Sequence, residues 1–161
     1  MRKIAIFEEN MDRTDAAILR ALQDDGRATA AELGERVGLS VSAVHRRVKA
    51  LEESGTIQRY GAILDPKALG YTHDFYVEIA LRSQSESTFE AFEAAVRRSP
   101  DIVECHLMTG AFDYLLRIAT KGPDDYERVH RHALSALPGV MRMQSSLVLR
   151  TVRAWEGYVV T

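Results

Sequence analysis

The stretch Gly38-Leu39-Ser40-Val41-Ser42-Ala43-Val44-His45-Arg46-Arg47-Val48-Lys49-Ala50-Leu51-Glu52-Glu53-Ser54-Gly55 constrains the fold more than any other part of the chain. Ser40 is a good N-cap, and Val44, Val48 and Leu51 recur at helical spacing, so the segment predicts a helix with one inward stripe. At about 100° per residue, Ser42, Arg46 and Lys49 fall on roughly the opposite side. Arg46, Arg47 and Lys49 are basic, and no acidic residue lies between Ser40 and Lys49. A helix with a core stripe behind and a basic, hydrogen-bonding stripe in front suits a DNA major groove. Basic residues on an exposed helix are, taken alone, more often plain solvated charge, so the reading depends on the segment before them.

Asp12 opens an earlier helix with Asp15 three residues on, Ile18, Leu19 and Leu22 give its apolar stripe, and Asp25-Gly26 closes it. Thr29 and Glu32 form a capping box for a second, short helix with Ala30, Leu33 and Val37 on one face. Three helices with a tight Gly38-Leu39-Ser40 turn before the last are the pattern of a helix-turn-helix. The run Thr56 to Leu64 is β-favouring and predicts a wing, and Asp65-Pro66 breaks regular structure. The expected organisation is an arm over residues 1–11, a winged helix-turn-helix over 12–64, a hinge over 65–71, a second domain over 72–155 and a tail over 156–161.

In the second domain, Asp74 to Leu81 reads as a strand, Ser87 and Glu90 box a helix that ends near Pro100, and Ile102 to Met108 reads as a strand. Gly110-Ala111 turns the chain into a strand over Phe112 to Ala119. Pro123 opens a helix running to Leu137, and Val140 to Val152 gives a last long strand. The order βαββαβ is one unit written twice, since a shift aligns Tyr76 with Tyr114, Ala95 with Ala133, Val96 with Leu134, Pro100 with Pro138 and Ile102 with Val140. The fold class is therefore α+β, with a ferredoxin-like sheet carrying both helices on one side. Phe75, Val77, Ile79 and Leu81 alternate with Tyr76 and Ala80, and Leu115 sits beside Leu116, so both sheet faces carry apolar residues. The face without helices predicts a partner sheet, hence an obligate homodimer.

A composition of 46% hydrophobic and 27% charged residues is ordinary for a globular chain, and the net charge of -2 confines any nucleic-acid contact to a local patch. One cysteine, Cys105, rules out an intramolecular disulfide and a cysteine zinc cluster within one subunit. No run has secretory or membrane-spanning character, so a soluble cytoplasmic protein with no membrane partner is expected. His45, His73, His106, His130 and His132 show no HExxH spacing, and no P-loop or GxGxxG occurs, so neither metal nor catalytic residues are expected.

Two blocks of residues resemble the Lrp/AsnC (feast/famine) transcriptional regulators. The first comprises Met11 to Asp15, Ile18-Leu19, Leu22 to Arg27, Leu33, Val37 to Ser40, Arg47-Val48, Leu51-Glu52, Gly55 to Ile57 and Tyr60. The second runs from Val103 to Leu116 and resumes at Leu137 to Val140. The resemblance implies an N-terminal DNA-binding domain and a C-terminal RAM, or ACT-like, domain that senses an amino acid or related metabolite. It also implies dimers that often associate further, commonly into octamers. Where several members carry proline after the N-cap serine, this chain has Val41.

The residues expected to meet double-stranded DNA are Ser40, Ser42, His45, Arg46, Arg47 and Lys49. Ser42 and Arg46 would touch bases, and Arg47 and Lys49 would hold phosphates, with a structural role for Arg47 equally open. In the hairpin loop, Gly110 frees backbone N–H groups, and Asp113 offers a carboxylate to an α-ammonium group. The resemblance places the effector there, between subunits, and the expected set is Met108, Thr109, Gly110, Asp113, Ser146 and Val148. Asp113→Ala is expected to abolish a response while leaving the fold in place. No cofactor beyond such an effector is implied. The alternatives are an enzyme resembling sirohaem decarboxylases on the same scaffold, and a metabolite-binding module without DNA binding.

Overall fold

A computed structural model describes residues 11–161, so the expected arm over residues 1–11 lies, apart from Met11, outside the described residues. The chain separates into two units: one runs to Ile63 and takes back Arg153–Thr161, and the other is Leu64–Val152. The second domain is expected to reach residue 155, and within the compact units Arg153–Thr161 groups with the first.

The first unit holds α1 (Arg13–Asp24), α2 (Ala30–Val37) and α3 (Val41–Glu53). Each starts where the sequence places a cap. Asp12 and Asp15 form one capping box, Thr29 and Glu32 another, and the Ser40 hydroxyl accepts from the Ala43 N–H. Gly38 ends α2 at φ +70°, a conformation that favours glycine. Ile18, Ala21, Leu33, Val44 and Leu51 make the core, with Leu22, Val48 and Ile57 packed against it. Gly34, inside α2, allows the turn to close, because a Cβ there would stand 2.6 Å from the Leu39 carbonyl oxygen.

The expected wing differs. Residues 56–64 form no strand in this chain, although Ile57 donates to the Leu51 carbonyl and joins the core, and the Tyr60 hydroxyl donates to Glu52 at 2.9 Å. A strand exists only with a ladder partner, and no described segment lies alongside this one.

The second unit contains β1 (His73–Leu81), α4 (Glu86–Arg98), β2 (Ile102–Leu107), β3 (Tyr114–Thr120), α5 (Pro123–Val129) and β4 (Val140–Leu147). The sheet is antiparallel in the order β2-β3-β1-β4, as the doubled βαβ reading requires. Val77, Ile79, Leu81, Tyr114, Leu116 and Ile118 face Phe92, Val96, Val129, Leu134 and Leu137 in one core.

Four expectations shift. The α4 cap is Ser85 rather than Ser87, with the Ser85 hydroxyl accepting from the Thr88 N–H. The second helix does not run on as α-helix to Leu137; after Val129 it widens into a π-wound turn, His130–Leu134. Val129 and Leu134, five residues apart, are both buried, and the wider winding brings two residues at that interval closer to one face than α-helical winding does. The last strand stops at Leu147 instead of Val152, because Val148 makes its bond to Asp74 and β1 offers nothing beyond. Tyr76 and Tyr114 are not equivalent: Tyr114 is buried in the core, whereas Tyr76 is 39% exposed on the face without helices.

Candidate nucleic-acid interface and effector loop

On α3 the buried Val44 and Leu51 turn the rest of the helix outward, and Ser42, His45, Arg46 and Lys49 are all exposed. Helical spacing gathers these four into one face. Ser40 and Ser42 hydroxyls lie 3.1 Å apart at its first turn, so Ser40 is occupied as the helix cap. Lys49 pairs with Glu53 at 3.6 Å, and since both are exposed the pair is weak and leaves the ammonium available.

Arg47 departs from the set. Its guanidinium lies 2.8 Å from both the Asp12 and the Asp15 carboxylates, joining α3 to the cap of α1. The Asp15 hydrogen bond, followed by that to Asp12, pushes the Arg47 pKa up. Asp12 is held below its ordinary value, first by the Asp15 backbone N–H and then, against burial, by Arg47. Arg47 sits beside the core stripe, so its long side chain reaches α1, and the structural alternative is the one its contacts support. Gly34 was missed, although a glycine inside a helical pattern is itself a signal of close approach.

In the second unit the loop between β2 and β3 is held at its base. The Met108 N–H donates to the Asp113 carbonyl, and the Asp113 N–H donates to the Ile79 carbonyl, each at 2.8 Å. Gly110 takes φ +120°, and Met108, Thr109, Gly110 and Ala111 are exposed. Within the described residues, the backbone N–H groups of Thr109 to Phe112 meet no acceptor. The Phe112 ring lies 5.1 Å from the Arg142 guanidinium.

The Asp113 carboxylate is not free. It is 8% exposed, one oxygen accepts from the Leu81 N–H at 2.7 Å, and the other accepts from the Gln84 amide at 2.7 Å. It therefore ties the end of β1 to the hairpin, which corrects the expectation that it stands open to an ammonium group. Gln84 carried no signal in the sequence, because a polar residue in a serine-rich loop is indistinguishable from a solvated one.

The other two effector candidates lie elsewhere in the same unit. Ser146 pairs with Tyr76, and Val148 donates to Asp74, whereas Asp113 meets Ile79 near the other end of β1. At roughly 3.3 Å per residue, Ile79 and Asp74 are about 17 Å apart. One subunit does not bring the loop and the pair Ser146 and Val148 together.

The sheet face without helices is amphipathic rather than apolar throughout. Tyr76, Leu115 and Ala119 share it with Arg117, which pairs with Asp74 at 3.3 Å and with Glu104 at 2.8 Å. Burial raises the Glu104 carboxyl, but hydrogen bonds from Arg117 and His106 outweigh it and leave the pKa below its usual range. Among the described residues, no group of three or more histidine, cysteine or acidic side chains gathers as a metal site, and no helix is long and apolar enough to cross a membrane.

Two family models match this chain: a winged helix-turn-helix DNA-binding domain over residues 11–58 and an Lrp/AsnC ligand-binding domain over residues 74–155. The chain is 40% identical to the leucine-responsive regulatory protein of Salmonella typhimurium, covering 90% of this chain and 88% of that one. It is 37% identical to the proline dehydrogenase transcriptional activator of Rhizobium radiobacter, covering 90% and 93%. A Neisseria meningitidis transcriptional regulator solved with L-methionine superposes with a TM-score of 0.85 at 34% identity, covering 90% of this chain and 94% of that one.

Proposed function

Because the chain belongs to the Lrp/AsnC family of transcriptional regulators, we propose that it reads double-stranded DNA with the exposed face of α3 and responds to an amino acid bound by its sheet domain. The observation that carries the reading is the outward set Ser42, His45, Arg46 and Lys49 on a helix whose other side is core. Arg46 can grip guanine through two hydrogen bonds, worth about 1–3 kcal/mol of discrimination, with Ser42 and His45 beside it. Lys49 holds phosphate and adds affinity on any sequence.

The effector is an amino acid or related small metabolite, and L-methionine is the first to try because the Neisseria relative holds it. Its site is the Thr109 to Phe112 loop, whose unmet N–H groups suit a carboxylate, with Asp113 shaping the loop. The distance from this loop to Ser146 and Val148 supports a site completed by a second copy, and the partly apolar sheet face supports a homodimer. The dimer can extend to a higher assembly such as an octamer. An effector that binds one arrangement better shifts the assembly and changes how many DNA half-sites are held together. The intact basic face favours this cytoplasmic regulator over an enzyme resembling sirohaem decarboxylases.

Fluorescence anisotropy against the DNA upstream of its own gene and a shuffled copy, across a salt series, tests the reading. Tighter binding to the native fragment, weakening as salt rises, is expected. Arg46→Ala should erase the preference, and Lys49→Ala should weaken both duplexes and lower the salt slope by about 1. Equal loss on both duplexes for both variants would refute the division of roles.

A further inference from the structure

The segment after the sheet domain, Arg153–Thr161, is fastened to α1 within the first unit. Gln23, near the end of α1, uses both ends of its amide: the nitrogen donates to the Tyr158 carbonyl at 3.0 Å, and the oxygen accepts from the Tyr158 N–H at 2.8 Å. Arg20, three residues earlier, donates to the Val160 carbonyl at 2.8 Å. Gly157 has φ +118°, and a Cβ there would stand 2.2 Å from the Gln23 amide oxygen. Any larger residue must therefore displace the amide that makes the clamp. Trp155 and Tyr158 pack edge to face with centroids 5.9 Å apart, so the segment has internal order as well as anchors. Residues 156–161 lie beyond both family matches.

We propose that Gln23 and Gly157 are positioning residues: they fasten the C-terminal strap to α1, and the strap sets which separations of paired DNA half-sites a dimer accepts. The chain passes between its two units twice, after Ile63 and after Val152. A DNA-binding unit on one linker samples many separations, and a second, fastened crossing removes part of that freedom, which concentrates the remaining binding energy on fewer spacings. This role rests on the DNA-reading function proposed above.

Two readouts on the full-length protein test it. Trp155 is the single tryptophan, so its time-resolved anisotropy reports the strap directly. Gln23→Ala and Gly157→Val should each increase the amplitude of nanosecond motion about twofold or more. For the second readout, a half-site selected from random duplexes by the intact protein is placed in pairs at spacings increased one base pair at a time. The intact protein should show about a tenfold spread of affinity across spacings, and both variants should flatten it to under about threefold while binding a single half-site as before. A Trp155 equally mobile in all three proteins overturns the strap. An unchanged spacing profile, or an equal loss on single half-sites, overturns the positioning role. Failure of the intact protein to select any sequence overturns the DNA reading and the spacing role with it, while Trp155 still reports whether the strap exists.

Discussion

Asp113→Ala should destabilise the sheet domain before it affects any ligand. The carboxylate accepts two hydrogen bonds, from the Leu81 N–H and the Gln84 amide, and the residue is nearly buried. Stranding the Leu81 N–H costs about 1–3 kcal/mol, and losing the Gln84 bond adds about 1 kcal/mol, so a loss of about 2–4 kcal/mol is expected. At about 4–8 °C per kcal/mol for a domain of this size, Tm should fall by at least about 8 °C. Urea unfolding followed by far-UV circular dichroism at fixed protein concentration measures the loss. Gln84→Ala should cost only the smaller share, and Asp113→Asn an intermediate one, since it keeps an acceptor but no charge. An Asp113→Ala protein within about 0.5 kcal/mol of the parent would refute this account, because a buried N–H cannot lose its acceptor so cheaply. The carboxylate would then be available to a ligand after all.

Arg47→Met should lower the urea midpoint near neutral pH and leave the salt slope of DNA binding unchanged. Asp12 titrates below its ordinary 3.8 in the folded state, so the stability from its pairing is present above that value and lost as pH falls through the folded pKa. The gap between variant and parent should therefore narrow in acid, and a pH-independent gap would count against the pairing. Gly34→Ala gains up to about 1 kcal/mol of helix propensity but drives a Cβ into the Leu39 carbonyl, so a net loss of about 1–2 kcal/mol is expected in chemical unfolding. Burial pushes the Cys105 thiol up to about 11. At pH 8 its thiolate fraction is then roughly two hundred-fold below that of a free cysteine, and once the greater reactivity of a more basic thiolate is counted, alkylation should be slowed by about tenfold or more, rising about tenfold per pH unit up to pH 10.

Most elements were legible in the sequence where a local rule decides them, although the capping rule that located α1, α2 and α3 put the start of α4 at Ser87 instead of Ser85. Asp12, Thr29 and Ser40 announce their helices because a cap needs only three residues, and Val44 and Leu51 face inward because periodicity is local. What long-range geometry decides was not legible. The end of β4 depends on where β1 runs out, and the roles of Arg47 and Asp113 depend on partners 32 residues away in each case, Asp15 for one and Leu81 for the other. An exposed arginine and a turn aspartate look alike in sequence whether they reach water, a ligand or another element. The clamp at Gln23 was hidden for the same reason, since its partner is the backbone of Tyr158, which has no side-chain signature.

The widened turn at His130–Leu134 bears on how chain length can vary here. Val129 and Leu134 both point inward although five positions separate them. Deleting one residue between them leaves a four-residue interval, which an ordinary α-helix places on a single face. The second helix can therefore absorb a one-residue deletion by relaxing into regular winding. The same deletion between Phe92 and Val96 of α4 would shorten the interval from Phe89 to Val96 from seven positions to six, which turns these two core-facing residues about 120° apart on a regular helix. Natural and engineered variants that differ by one residue in this domain should accordingly carry the change in the second helix and spare the first.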